Sequence, residues 1–158
     1  MAKSDPKDSN EDGMNHPLTF GGTEPAMWNY QSETRNISVS VEPIYLSDQS
    51  APEDDYYVWA YKVEIENKGK ETVQIRSRFW RITDSFGRTQ ESRGLGVVGE
   101  QPVLKPGEKF EYTSGTPLTA PSGMMGGNYQ VQTTAGDLFE VEIPTFSLDS
   151  PHDIKRMH

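Results

Sequence analysis

The twelve residues from Tyr56 to Asn67, YYVWAYKVEIEN, constrain the fold of this chain more than any other stretch. Tyr57, Trp59, Tyr61, Val63 and Ile65 recur at every second position, the period of a strand with one buried face; a helix would scatter them around its circumference. The length of the run predicts a central strand. Upstream, Ile37, Val39 and Val41 alternate with Asn36, Ser38 and Ser40 in the same way, until Pro43 confines that strand to an edge or ends its pairing.

Further along, TVQIRSRFWRIT begins with Val73 and Ile75 inward but ends with Trp80 and Ile82 inward. That change of parity predicts a β-bulge near Phe79 and Trp80. DSFGR and KPGEK read as turns. KFEYTS, NYQVQTT and LFEVEIPTF read as further strands, the last two joined across AGD as a hairpin. Without a helical period to supply crossovers, the pattern predicts an all-β fold: an antiparallel β-sandwich of the immunoglobulin or fibronectin type III kind.

Not all of the 158 residues fit that domain. Only 33% are hydrophobic and the mean hydropathy is -0.74, lean for a compact chain. Residues 1–33 mix Asp, Asn, Ser, Gly and Pro without periodicity and are expected to be a disordered tail; the sandwich is expected over 34–151 and a short tail over 152–158. A net charge of -9, from 24 acids against 15 bases, disfavours nucleic acid and anionic membranes as partners. There is no cysteine, no apolar leader at the N-terminus and no run near the ~20 apolar residues of a membrane span, so a cytoplasmic protein is expected.

GLGVVGE, residues 94–100, holds Gly94, Gly96 and Gly99 at a spacing found in dinucleotide-binding loops. Such a loop needs a helix directly after it, and Pro102, Pro106 and Gly107 forbid one here. No lysine follows the glycines to reach a phosphate, and no kinase motifs accompany them. Backbone geometry is therefore the stronger reading of these glycines, with weak nucleotide or pyrophosphate binding as the alternative. Beside them, five of the seven arginines, Arg76, Arg78, Arg81, Arg88 and Arg93, fall in an 18-residue window with only Asp84 and Glu91 as acids. One reading is an anion or acidic-partner site; the other places Arg76 and Arg78 on the outside of a strand, paired with neighbouring acids.

Catalytic residues are hard to find. His16, His152 and His158 lie in the expected tails, which leaves Ser114 and Ser122 without an imidazole base. Glu140 and Glu142 alternate with Val141 and Ile143 and so are solvent-facing first. Glu53, Asp54 and Asp55 could hold magnesium but read more simply as a solvated charge run. No metal or cofactor is expected.

The stretches SRFWRITDSFGRTQESRGLGVVGEQPVLKPGEKFEYTSGTPL, PSGMMGGNYQ and FEVEIPTFSLDSP resemble the ApaG family, from about Thr34 to Pro151. The resemblance implies a fibronectin type III-like sandwich. Bacterial members carry the alternative name CorD, are associated with cobalt and magnesium resistance and have a gene neighbour that hydrolyses diadenosine polyphosphates; similar domains occur in eukaryotic F-box and polymerase-delta-interacting proteins. It thus implies a non-enzymatic domain that binds a protein partner. The alternative is an anion- or nucleotide-binding regulatory protein that uses the glycine-rich loop and its neighbouring arginines, and the binding candidates read from that segment are Gly94, Gly96, Gly99, Arg76, Arg78, Arg88 and Arg93. The chain departs from the family pattern at Thr116, where cysteine is common, at Asn128 and Phe79, where histidine is common, and at Leu95, where a polar residue often sits.

Overall fold

The computed structural model describes residues 28–152. Among these residues nine strands form two antiparallel sheets packed face to face: β1 (Tyr30–Thr34), β2 (Ile37–Tyr45), β3 (Tyr57–Asn67), β4 (Val73–Asp84), β5 (Thr89–Leu95), β6 (Val103–Leu104), β7 (Lys109–Leu118), β8 (Gly123–Thr133) and β9 (Leu138–Leu148). The first sheet runs β1-β2-β3-β7; the second runs β5-β4-β8-β9, with β6 also paired to β4. The expected sandwich is the observed one. Among the described residues helical structure is confined to 3₁₀ turns, at Ser47–Gln49, at Pro52–Asp54 and at Pro151 and His152, and no helix is long and apolar enough to cross a membrane.

The alternating set of β3 is the centre of the core. Trp59, Tyr61, Val63 and Ile65 are fully buried and face Trp80, Ile82, Tyr129, Val131 and Phe146 of the second sheet. Tyr61 and Trp80 meet across the sandwich with ring centroids 5.2 Å apart. On one side β1 and β9 tie the layers together: the Ser32 hydroxyl donates to the Glu142 carbonyl (2.8 Å), and the Glu142 amide donates to the Thr34 hydroxyl (3.2 Å). On the other side lie β7 and β5, which belong to different sheets and share no ladder.

Three expectations need correction. Residues 30–33 are not tail: β1 pairs with β2 from Tyr30↔Val41 to Thr34↔Ile37, closed by Arg35 and Asn36, both at positive φ. The strand is short and half-buried, so its alternation is too brief to stand out from polar sequence. Residues 1–27 and 153–158 lie outside the described residues, and with them His16 and His158. His152 is ordered rather than tail, its ring 6.2 Å from that of Tyr45 and 5.9 Å from that of Tyr57.

The bulge is also displaced. The β4–β8 register shifts between Ile75 and Ser77, so Arg76 is the extra residue rather than Phe79 or Trp80. Its carbonyl turns toward the 94–101 segment, accepting from the Gly96 amide (2.8 Å) and from the Gln101 side chain (2.8 Å). The third correction follows from the second. With parity changed at Arg76, Arg78 points inward with Trp80 and Ile82 and is only 5% exposed, so the reading that put it on the outside of the strand does not hold. Pro43 ends only one of two ladders: the β1 pairing stops at Val41, just before it, while the β3 ladder runs on through Pro43↔Tyr61 to Tyr45↔Trp59, so β2 is an inner strand and not an edge.

Candidate functional site

The glycine segment is a fold device. Val98 and Gly99 form the tip of a two-residue hairpin, both at positive φ (41° and 83°), closed by reciprocal hydrogen bonds between the backbones of Val97 and Glu100 at 2.7 and 2.9 Å. Turns with two positive-φ residues favour glycine at the second. Gly96 (φ 65°) leaves room for the returning chain: a Cβ there would sit 2.0 Å from the Glu100 carbonyl oxygen. The amides of Gly96, Val97 and Glu100 are thus committed to backbone carbonyls, and the chain continues into β6 rather than into a helix.

Gly94 has a different task. It pairs directly with Arg78, and a Cβ on it would lie 2.6 Å from the Arg78 Nη2. The guanidinium passes through that space, and its Nη1 donates to the carbonyls of Leu95 (3.1 Å) and Gly96 (3.0 Å). A buried cation held by carbonyl dipoles thus pins the base of the hairpin.

The structure separates the other arginines. Arg88 sits at the β4–β5 turn, bonded to Asp84 (2.9 Å) and to the Thr119 hydroxyl (2.9 Å). Burial works against ionisation of Asp84, but the amides of Arg88 and Phe86 and the Arg88 guanidinium outweigh it and hold the carboxyl below its ordinary pKa. Arg81 is exposed, and its Nε and Nη2 both reach Glu91 Oε2. Arg76, at the bulge, donates to the Gln74 side chain (3.1 Å). Arg93 lies on the outer face with its guanidinium 4.3 Å above the Phe79 ring, and no ion pair of the described residues involves it. Of the candidates, then, Gly94, Gly96 and Arg78 come together as one structural unit with Gly99 at its tip, while Arg76, Arg88 and Arg93 point to separate places.

Around Phe79 the outer face of the second sheet is hollowed on both sides. One depression, about 360 Å3, is walled by Phe79, Arg93, Leu95, Asn128 and Glu140. The other, about 300 Å3, is walled by Phe79, Arg81, Met124 and Thr145 over a floor of Gly126 and Gly127. Gly127 is obligatory where β8 passes β4, since a Cβ there would meet the Phe79 carbonyl oxygen at 1.8 Å, and a Cβ on Gly126 would crowd the Thr145 hydroxyl of β9 at 2.9 Å. Leu95 (78% exposed) and Met124 (47%) border this face. Phe79 and Asn128 were missed as site residues by sequence reasoning; the signal available was the glycine pair in GMMGGN, which marks close backbone approach within a strand.

Glu140 and Glu142 are exposed, as their alternation implied. Among the described residues no group of three or more His, Cys, Asp or Glu side chains is arranged to hold a metal ion.

The ApaG domain model matches residues 47–133. Protein ApaG of Parvibaculum lavamentivorans is 64% identical over 129 residues, spanning 82% of this chain and 99% of that protein. Protein ApaG of Rhodospirillum centenum is 62% identical over 127 residues, spanning 80% and 98%. Among solved structures, the crystal structure of the putative ApaA protein from Bordetella pertussis is similar with a TM-score of 0.72 at 49% identity, covering 77% of this chain and 98% of that one.

Proposed function

Since the chain belongs to the ApaG family, we propose that it acts as a non-catalytic interaction domain, meeting a protein partner with the outer face of its second sheet around Phe79 and Arg93. The observation that carries this reading is the Phe79–Arg93 stack between two depressions. An aromatic ring capped by a guanidinium offers apolar area and directed hydrogen-bond donors at low entropic expense, the combination enriched at the energetic centres of protein interfaces. Its position in an acidic chain adds a local positive spot that steers an acidic partner surface. A link to cobalt or magnesium tolerance then runs through the partner rather than through a metal held by this domain.

The test is capture from the native cell extract with the wild-type chain, Phe79→Ser and Arg93→Glu, after confirming equal melting temperatures. A partner retained by the wild type and lost by both variants is expected. Equal retention by all three would place the interface elsewhere on the domain.

A further inference from the structure

The two sheets differ in how their outer edges are guarded. β5 and β7 each end the order of a sheet, and a strand in that place carries backbone donors and acceptors able to pair with another chain. β7 is blunted by Lys109 and by Pro117, which has no N–H to offer. β5 holds neither proline nor lysine. Two bonds fix the phase of its ladder with β4: the Asp84 amide donates to the Arg88 carbonyl (2.9 Å), and the Gly96 amide donates to the Arg76 carbonyl (2.8 Å). Counted by twos between those ends, Gln90, Ser92 and Gly94 turn their backbone groups toward β4, whereas Thr89, Glu91, Arg93 and Leu95 turn theirs away from it. Among the described residues no hydrogen bond from another element reaches the amides of those four. The Leu95 carbonyl, held by Arg78, marks where this open edge stops.

The same four residues form the outer face of the strand, and all are exposed. Their order, Thr89, Glu91, Arg93, Leu95, is complementary to its own reverse at the charged positions. An identical strand laid antiparallel along this edge hydrogen-bonds only when outward residues stand opposite outward residues, so its two-fold axis passes through a residue of β5. An axis at Glu91 or at Arg93 sets like charges face to face, which is destabilising. An axis at Gln90 or Gly94 leaves both charges unmatched. An axis at Ser92 sets Glu91 of each copy opposite Arg93 of the other, twice. Both side chains have capacity for that contact: the two bonds from Arg81 fall on Glu91 Oε2, and Arg93 rests on the Phe79 ring with no ion pair among the described residues.

We propose that the occupant of the β5 edge is a second copy of this chain, paired antiparallel about a two-fold axis at Ser92, so that the second sheets of the two copies run on as one. The ladder joins the backbones of Glu91 and Arg93 reciprocally, and Leu95, 78% exposed in the single chain, is flanked by Thr89 of the other copy. Across the outer face a row of alternating charge results: Arg81, Glu91, then Arg93 of the second copy on its Phe79 ring. The contact is one strand wide, so the association is a weak one, with a Kd between about 1 μM and 1 mM. It rests on the edge and its charges, and stands whether or not the Phe79 face meets another protein.

The test is sedimentation of the full chain over a concentration series, with amide exchange followed by NMR on the same samples. The wild type should pass from monomer to dimer. As it does, exchange at the Glu91 and Arg93 amides should slow, while Gln90, Ser92 and Gly94, already bonded within the chain, should not change. Glu91→Arg and Arg93→Glu each bring like charges face to face and should weaken association about tenfold or more. An equimolar mixture of the two variants should restore it, because the arginines of one chain then face the glutamates of the other. The exchange measurement needs no variant, so the pairing stays testable if either substitution harms the fold. A monomer at every concentration leaves the edge to a strand of some other protein and overturns the proposal. So does a dimer whose Glu91 and Arg93 amides exchange as in the monomer, a dimer that survives both charge reversals, or a mixture no tighter than its separate components.

Discussion

The Arg78 guanidinium occupies the space that a side chain on Gly94 would fill, 2.6 Å from where its Cβ would stand. The two residues face each other across β4 and β5 and are therefore one unit, an inward cation and the gap that admits it. Gly94→Ala should destabilise the domain by about 1–3 kcal/mol, as overpacking against a held group does. In an Arg78→Met background the same change should cost much less. A double-mutant cycle by urea unfolding measures the coupling, and additive effects would refute the relationship.

The hairpin glycines should differ among themselves. Gly96→Ala forces a Cβ onto the Glu100 carbonyl at positive φ and should cost more than about 3 kcal/mol or prevent folding. Gly99→Asn keeps a residue that tolerates left-handed backbone and should cost about 1 kcal/mol or less. Thermal unfolding of the two variants side by side checks the order.

Burial and exposure along β3 and β4 make a third contrast. Trp59→Ala and Trp80→Ala, both fully buried, should each cost about 3–5 kcal/mol. Trp59 has the additional role of anchoring the end of β9 through its indole bond to the Asp149 carbonyl (2.8 Å). Arg81→Ala removes an exposed ion pair with Glu91 and should cost about 1 kcal/mol or less, smaller still in high salt.

Alkaline pH should unfold the domain earlier than its surface tyrosines would suggest. Burial raises the pKa of Tyr112 and Tyr129 above the ordinary tyrosine value, their hydroxyls being bonded to each other inside the sandwich. A raised folded-state pKa means that the stability held below the unfolded value of about 10 is lost as pH climbs past it. Replacing both residues by Phe should flatten that alkaline loss. Tyr112→Phe alone should also cost about 1–3 kcal/mol at neutral pH, since it leaves the Tyr129 hydroxyl buried without its partner. Chemical unfolding at pH 7 and above pH 10 separates the two effects.

Truncation tests the first strand. A chain beginning at Trp28 should melt like the full chain, whereas one beginning at Asn36 loses β1 and both of its hydrogen bonds to Glu142 and should melt many degrees lower. Equal melting temperatures for the two shortened chains would mean that β1 adds nothing to the fold.

Local pattern was sufficient for the architecture. The alternation in β3, the turn residues around Gly87, Gly107 and Gly136, and the prolines that forbid a helix after GLGVVGE depend only on neighbouring residues, and each predicted what the fold contains. The long matching stretches likewise placed the chain in its family. What sequence could not decide was the direction of Arg78, because a parity change can be absorbed at any residue between Ile75 and Trp80. The donors that settle it, the Gly96 amide and the Gln101 side chain on the Arg76 carbonyl, are twenty or more positions distant in sequence. The same holds for the outer face. Phe79 and Arg93 become neighbours only through the register of β4 with β5, a relation that no period within a single strand encodes.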